Sequence, residues 1–139
     1  SENSVDYIRQ RISNDPKRWA LKTEHYKNVV PTRVWEKGEY KYQFISVGTY
    51  SPSNQGIIGT IISKDGEENV IGELFFGQDI KRNCLEGAVE VHPNFRRQGI
   101  ATMLYNLGEE ITGKEFRPSY PHSQDAEKFW KSRKNELAY

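Results

Sequence analysis

The sequence predicts an α/β (α+β) domain in which a mostly antiparallel central sheet is flanked by helices. Three observations carry this expectation. Apolar residues recur at helical spacing near both ends of the chain, β-branched and aromatic segments punctuated by turn residues fill positions 33 to 78, and one later strand runs through a short loop directly into a helix. At 139 residues the chain is long enough for one core and short for two, so it reads as a single domain over 1–139.

Residues 1–30 form the expected helical N-terminal part. Val5, Ile8 and Ile12 share helical spacing, and Asn14-Asp15-Pro16 closes that segment and opens another, with Asp15 as N-cap and Pro16 at the first helical position. The strand region spans 33–92. Segments 33–35, 39–50, 56–63 and 69–76 are separated by the turn signals Lys37-Gly38, Pro52-Ser53-Asn54 and Asp65-Gly66, which predicts an antiparallel meander. Of its aromatic residues, Tyr40, Tyr42 and Phe44 fit core packing better than a substrate pocket. A further strand over 85–91 is closed by Pro93. Region 96–113 is a loop followed by a helix, whose apolar face carries Ile100, Met103, Leu104, Leu107 and Ile111 and which ends near Gly113. Region 115–135 holds a short strand over 115–119 and a helix from Ser123 to about Lys134, with Ala126, Phe129 and Trp130 on its apolar face.

Composition narrows the function. With 35% hydrophobic and 28% charged residues the chain is that of a soluble globular protein, with a mean hydropathy of −0.83. A net charge of +1 provides no long-range field toward nucleic acid or an anionic membrane, so any basic site is local. No apolar run has the length of a membrane span. A lone cysteine, Cys84, excludes an internal disulfide and a cysteine metal cluster, packs as a small apolar group, and fits a cytoplasmic location. His25, His92 and His122 lack metal-ligand spacing, so no metal is expected, and His92 beside Pro93 reads as a loop residue. Neither a Gly-x-x-x-x-Gly-Lys-Ser/Thr loop nor a Gly-x-Gly-x-x-Gly turn after a strand is present, which argues against nucleotide hydrolysis and dinucleotide redox chemistry.

The informative stretch is 89–104. A strand ends, two arginines follow, and Gly99 stands where a helix begins. The first amides of a helix have no intrahelical partner and carry the positive end of its dipole, so they suit a phosphate or pyrophosphate. Gly99 and Ala101 keep the approach of an anion free of bulk, and Arg96 and Arg97 add charge-assisted hydrogen bonds. The bland alternative is a basic surface loop in which Gly99 serves the turn alone.

Arg96-Arg97-Gln98-Gly99-Ile100-Ala101 resembles the Arg/Gln-x-x-Gly-x-Gly/Ala pyrophosphate loop of the GNAT superfamily of N-acetyltransferases, preceded by a strand ending in Val91-His92-Pro93. Residues 126–131 resemble that family's last helix, an alanine followed by an aromatic pair. The resemblance covers about 85–131; upstream, the order of elements agrees. It implies a sheet with a splayed parallel strand pair that takes acetyl-CoA as acyl donor. The main chain of Val89 and Val91 would pair with the pantetheine amides. The amides of Gln98, Gly99, Ile100, Ala101 and Thr102 would receive the pyrophosphate, with Arg96 or Arg97 on the phosphates. Ser123 would contact the pantetheine arm, although helix N-capping is an equal role for it.

The implied reaction moves an acetyl group to an amine by direct attack on the thioester, and the amine must lose a proton. Glu90 and Glu86, four apart and on one side of a strand, are the candidate bases; the alternative is solvated strand carboxylates. Relatives carry a tyrosine as general acid where this chain has Phe129 and Trp130; Tyr120 and Tyr105 are possible substitutes. A thiol leaving group, pKa near ~8.5, departs largely as thiolate without an acid. A catalytically silent acyl-CoA-binding module is therefore the competing reading. Lys128, Lys131, Arg133 and Lys134 read most simply as a solvated cationic face, the alternative being contact with the cofactor's 3′-phosphate or an acidic acceptor. The acceptor is an amine on a small molecule or a protein lysine. Relatives usually add two strands after the last helix, whereas Tyr139 follows it closely here, so a homodimer partner or a large exposed acceptor is expected to cover that edge.

Overall fold

A computed structural model describes Tyr26 and residues 29–47, 55–118 and 124–137. The two expected N-terminal helices, Ser123, Tyr120, His25 and His122 lie outside the described residues. Five strands form one antiparallel sheet in the order β1 (Arg33–Lys37), β2 (Tyr40–Val47), β3 (Gly56–Lys64), β4 (Glu67–Asp79) and β5 (Cys84–Val91). A short 3-10 turn, Pro93–Phe95, leads to helix α1 (Ile100–Thr112), and helix α2 (Gln124–Leu137) follows. No helix among the described residues is long and apolar enough to cross a membrane.

The meander is dictated by its turns. Asp65 and Gly66 both adopt positive φ, 53° and 82°, between the paired ends Lys64 and Glu67. That is the two-residue arrangement whose twist matches an antiparallel hairpin. One irregularity matters: between Thr60 and Ile61 the register shifts, so Ile71 is an extra residue on β4 and its carbonyl accepts from the His92 amide at 2.7 Å.

The sheet buries both faces. On the front, Ile100, Leu104 and Leu107 of α1 pack on Phe44, Ile58, Leu74 and Leu85. On the back, Tyr26 joins Ile45, Ile61 and Val70. Tyr42 and Phe44 are core residues as expected, as is Cys84, whereas Tyr40, also expected in the core, is 38% exposed, because it stands at the hairpin end of β2 opposite Lys37 with the Lys64 ammonium over its ring. Further expectations are corrected. The stripe on α1 does not reach Ile111, which is 41% exposed; Tyr105 and Gly108 are buried instead, because the packing partner at that end is Phe116. The strand expected over 115–119 is an isolated parallel bridge between Leu85 and Phe116.

Phe116 is seated between two glycines: a Cβ on Gly87 would lie 3.0 Å and one on Gly108 2.6 Å from its ring. Around it, Tyr105 meets Phe116, Phe129 and Trp130 with ring centroids 4.8, 5.3 and 5.2 Å apart. Arg133, read from sequence as solvated, is buried: it donates to Asn106 Oδ1 at 2.9 Å and Glu109 Oε1 at 2.6 Å. The other Glu109 oxygen accepts from the Phe116 amide at 2.9 Å. One carboxylate therefore ties α1 to α2 and to the Phe116 segment.

Candidate functional site

The loop between β5 and α1 is built from a few local demands. His92 caps the 3-10 turn, its Nδ1 accepting from the Asn94 amide at 3.2 Å. Arg97 then adopts φ 63° and Gly99 φ 86°, both left-handed. The first is a strained setting for a side chain, by about 1–2 kcal/mol, and such strain is retained where surrounding structure fixes it. Gly99 is the N-cap of α1; no side chain caps the helix, and its first turn carries no acidic residue. A Cβ on Gly99 would meet nothing within 4 Å among the described residues, and the left-handed backbone angle calls for glycine there. Among those residues, open space adjoins the positive end of a 13-residue helix.

The two arginines differ. Arg96 turns back onto β5: its Nε donates to the Val91 carbonyl at 2.9 Å and its Nη2 to Glu90 Oε1 at 2.5 Å. Arg97 is exposed. Gln98 accepts from the Tyr42 hydroxyl at 3.3 Å, which fastens the loop to β2.

β5 has an outward side. Leu85 donates its amide to the Glu115 carbonyl at 2.8 Å, and its carbonyl accepts from Arg117 at 2.9 Å, while the His92 amide points to β4. With the two-residue period of a strand and an unbroken register, the main-chain groups of Gly87, Val89 and Val91 face away from β4, beyond the Phe116 bridge. The Val91 carbonyl is taken by Arg96, leaving Val89 as the better-placed pairing position of the two.

The candidate bases lie on the back face, opposite α1. Glu90 is 7% exposed. Glu86 has a side chain 40% exposed, 3.7 Å from Arg82. Glu90 also stands in register with Glu73 of β4, itself 3% exposed, which accepts from the Tyr26 hydroxyl at 2.7 Å. Tyr26 reaches it by lying on Gly59, where any Cβ would collide with its ring. Sequence reasoning missed Glu73 and Tyr26; the available signal was a carboxylate between Gly72 and Leu74 in a strand, a position where most residues are apolar.

Tyr105 is buried, and its hydroxyl donates to the Gly87 carbonyl at 3.5 Å. Burial pushes its hydroxyl well above the ordinary phenol range, Arg133 acting weakly the other way. His92 is held below its ordinary value by partial burial and by Arg96.

A family model described as the acetyltransferase (GNAT) family matches residues 11–134 of the chain. No curated protein and no solved structure matches it.

Proposed function

We propose, because the chain belongs to the GNAT acetyltransferase family, that this protein transfers the acetyl group of acetyl-CoA to an amine by direct attack on the thioester. One observation supports the reading most: α1 starts on a left-handed Gly99 with open space beside it, no side-chain cap and no acidic first-turn residue, at the end of a strand with outward main-chain groups. That combination suits an extended, amide-bearing ligand ending in a pyrophosphate.

On this reading the amides of residues 98–102 hold the pyrophosphate, with Arg96 or Arg97 supplying charge. Val89, and the Val91 amide, pair with the pantetheine arm where β5 and the Phe116 segment splay, and Ser123 contacts that arm. The neutral amine forms a C–N bond to the acyl carbon as the C–S bond breaks. The thiol leaves as thiolate, and the amine's proton passes to Glu90 or Glu86, directly or through water. Acceptors are amines of small molecules or protein lysines.

A second reading, an acyl-CoA-binding module without turnover, is favoured by the absence of a tyrosine from the Phe129-Trp130 pair and by the burial of Tyr105. Calorimetry with acetyl-CoA, followed by thiol release over polyamines, amino-acid amides and basic peptides, decides between them. Binding with release supports transfer; binding with no release across the panel supports the silent module; no binding overturns both.

A further inference from the structure

We infer that Arg96 is a positioning residue for Glu90, and that among the loop's two arginines the phosphate contact belongs to Arg97. This rests on the acyl-CoA reading above and assigns the two cations that it leaves interchangeable.

Glu73 and Glu90 are directly opposite on β4 and β5, on one face, and nearly fully buried. Like charges at opposed cross-strand positions destabilise a sheet, and burial removes the water that would screen them. The pair needs a compensating donor on each side. Tyr26 supplies one to Glu73 and Arg96 the other to Glu90.

Arg96 is also tied by its Nε to the Val91 carbonyl, so its guanidinium is fixed in a fork between strand end and carboxylate. Leaving that place for a phosphate would break a charge-assisted hydrogen bond to Glu90 and the bond to the Val91 carbonyl. Arg97 has no such engagement among the described residues. It is exposed, held in a left-handed backbone setting, and stands between two fastened neighbours, Arg96 on β5 and Gln98 on Tyr42. Both arginines reach solvent, the Arg96 side chain being 53% exposed, and they differ in engagement: Arg96 is held on β5 while Arg97 points out between the two fastened positions. Arg96 in turn links the loop to the back-face carboxylate that serves as candidate base.

Four variants test this: Arg97→Ala, Arg96→Ala, Arg96→Lys and the double variant Arg96→Ala/Glu73→Gln. Each is compared by acetyl-CoA calorimetry, by saturated thiol release and by thermal melting. Arg97→Ala should weaken acetyl-CoA binding by about 10-fold or more, the range for losing a hydrogen bond to a charged group. Arg96→Ala should change affinity by less than Arg97→Ala and lower saturated turnover by more than it lowers affinity. It should also lower the melting temperature, with part of both losses recovered by Glu73→Gln, which removes the opposed charge. A simple phosphate ligand would show no such rescue. Arg96→Lys keeps the charge without the fork and should fall between wild type and Arg96→Ala, giving a readout if Arg96→Ala does not fold. Arg96→Ala or Arg96→Lys losing as much affinity as Arg97→Ala, with no excess loss of turnover, overturns the assignment while the acyl-CoA reading stands. Wild type failing to bind acetyl-CoA overturns that reading and the assignment together.

Discussion

Arg133 of α2 donates to Glu109 of α1 at 2.6 Å while its guanidinium carbon lies 5.5 Å from the centroid of the Tyr105 ring. A basic residue on a polar helix is here a buried joint between two helices. Truncation to Ala removes the donor to Glu109 Oε1 and Asn106 Oδ1, with Phe116 still donating to the other Glu109 oxygen, and leaves a void beside Tyr105. The expected loss is about 3 kcal/mol, as for breaking a buried pair. Arg133→Lys should recover little, since one ammonium cannot reproduce the fork to both acceptors. Denaturant unfolding checks this; a loss below ~0.5 kcal/mol, the ordinary surface value, would restore the solvated-face reading.

Gly108→Ala inverts a helix rule. Within a helix this change normally stabilises by about 1 kcal/mol. Here the new methyl would lie 2.6 Å from Phe116 Cε2 and 2.9 Å from Cζ, and that ring is backed by Tyr105 and Phe76. A net loss of about 1–3 kcal/mol is expected from overpacking. Adding Phe116→Leu should recover part of it. A raised melting temperature in the single variant would show that Phe116 moves aside freely.

The loop's stability depends on pH through His92. Its folded pKa lies below the ordinary 6.5 because burial, and then Arg96, disfavours the imidazolium. Unfolded chains therefore bind more protons in the window below 6.5, and stability contributed by neutral His92 is lost as pH falls from there toward the folded value. Protonation also removes the Nδ1 acceptor used by the Asn94 amide. Melting temperatures followed from neutral to mildly acidic pH should fall less steeply for His92→Asn than for wild type. Parallel curves would remove His92 from the account.

What was legible in the sequence was local. The helical period at Ile100, Leu104 and Leu107, the Asp65-Gly66 turn and the Arg96–Ala101 loop each follow from residues close together in the chain, and the structure forms each element. What was hidden depended on register. Glu73 becomes a neighbour of Glu90 because β4 and β5 pair in one alignment, with the extra residue at Ile71 closer to the start of β4. Arg133 is buried because Asn106 and Glu109 lie on the facing helix, and Ile111 is exposed because Phe116 fills against Gly108 instead. None of these partners is local. The loop could be read as basic, but the division between Arg96 and Arg97 required seeing where each side chain is held.

Gly99 and Gly113 provide a matched pair. Both are left-handed, at φ 86° and 70°, and a Cβ on either meets nothing within 4 Å. Changing either to Ala should cost about 1–2 kcal/mol through backbone strain alone. Only position 99 adjoins the loop, so Gly99→Val should in addition sharply weaken acetyl-CoA binding, whereas Gly113→Ala should leave it unchanged. Equal affinity in a folded Gly99→Val protein would sink the site.

Glu90 and Glu86 are separated by the same substitution to Gln, which keeps volume and an acceptor oxygen but cannot take a proton. Glu90, buried against Arg96 and opposed by Glu73, sits in a fixed environment, whereas Glu86 is a partly exposed side chain loosely beside Arg82. A fixed carboxylate is the better general base, because proton transfer requires a held geometry. Glu90→Gln should therefore lower saturated thiol release by about 10²–10⁴-fold, the usual contribution of a positioned base. It should change acetyl-CoA affinity far less, since the lost interaction belongs to the transition state. Glu86→Gln should have the smaller effect on turnover. The reverse ranking would move the base to Glu86, where water would have to carry the proton. Full activity in both variants would mean that neither carboxylate accepts it and that the amine reaches the site already neutral.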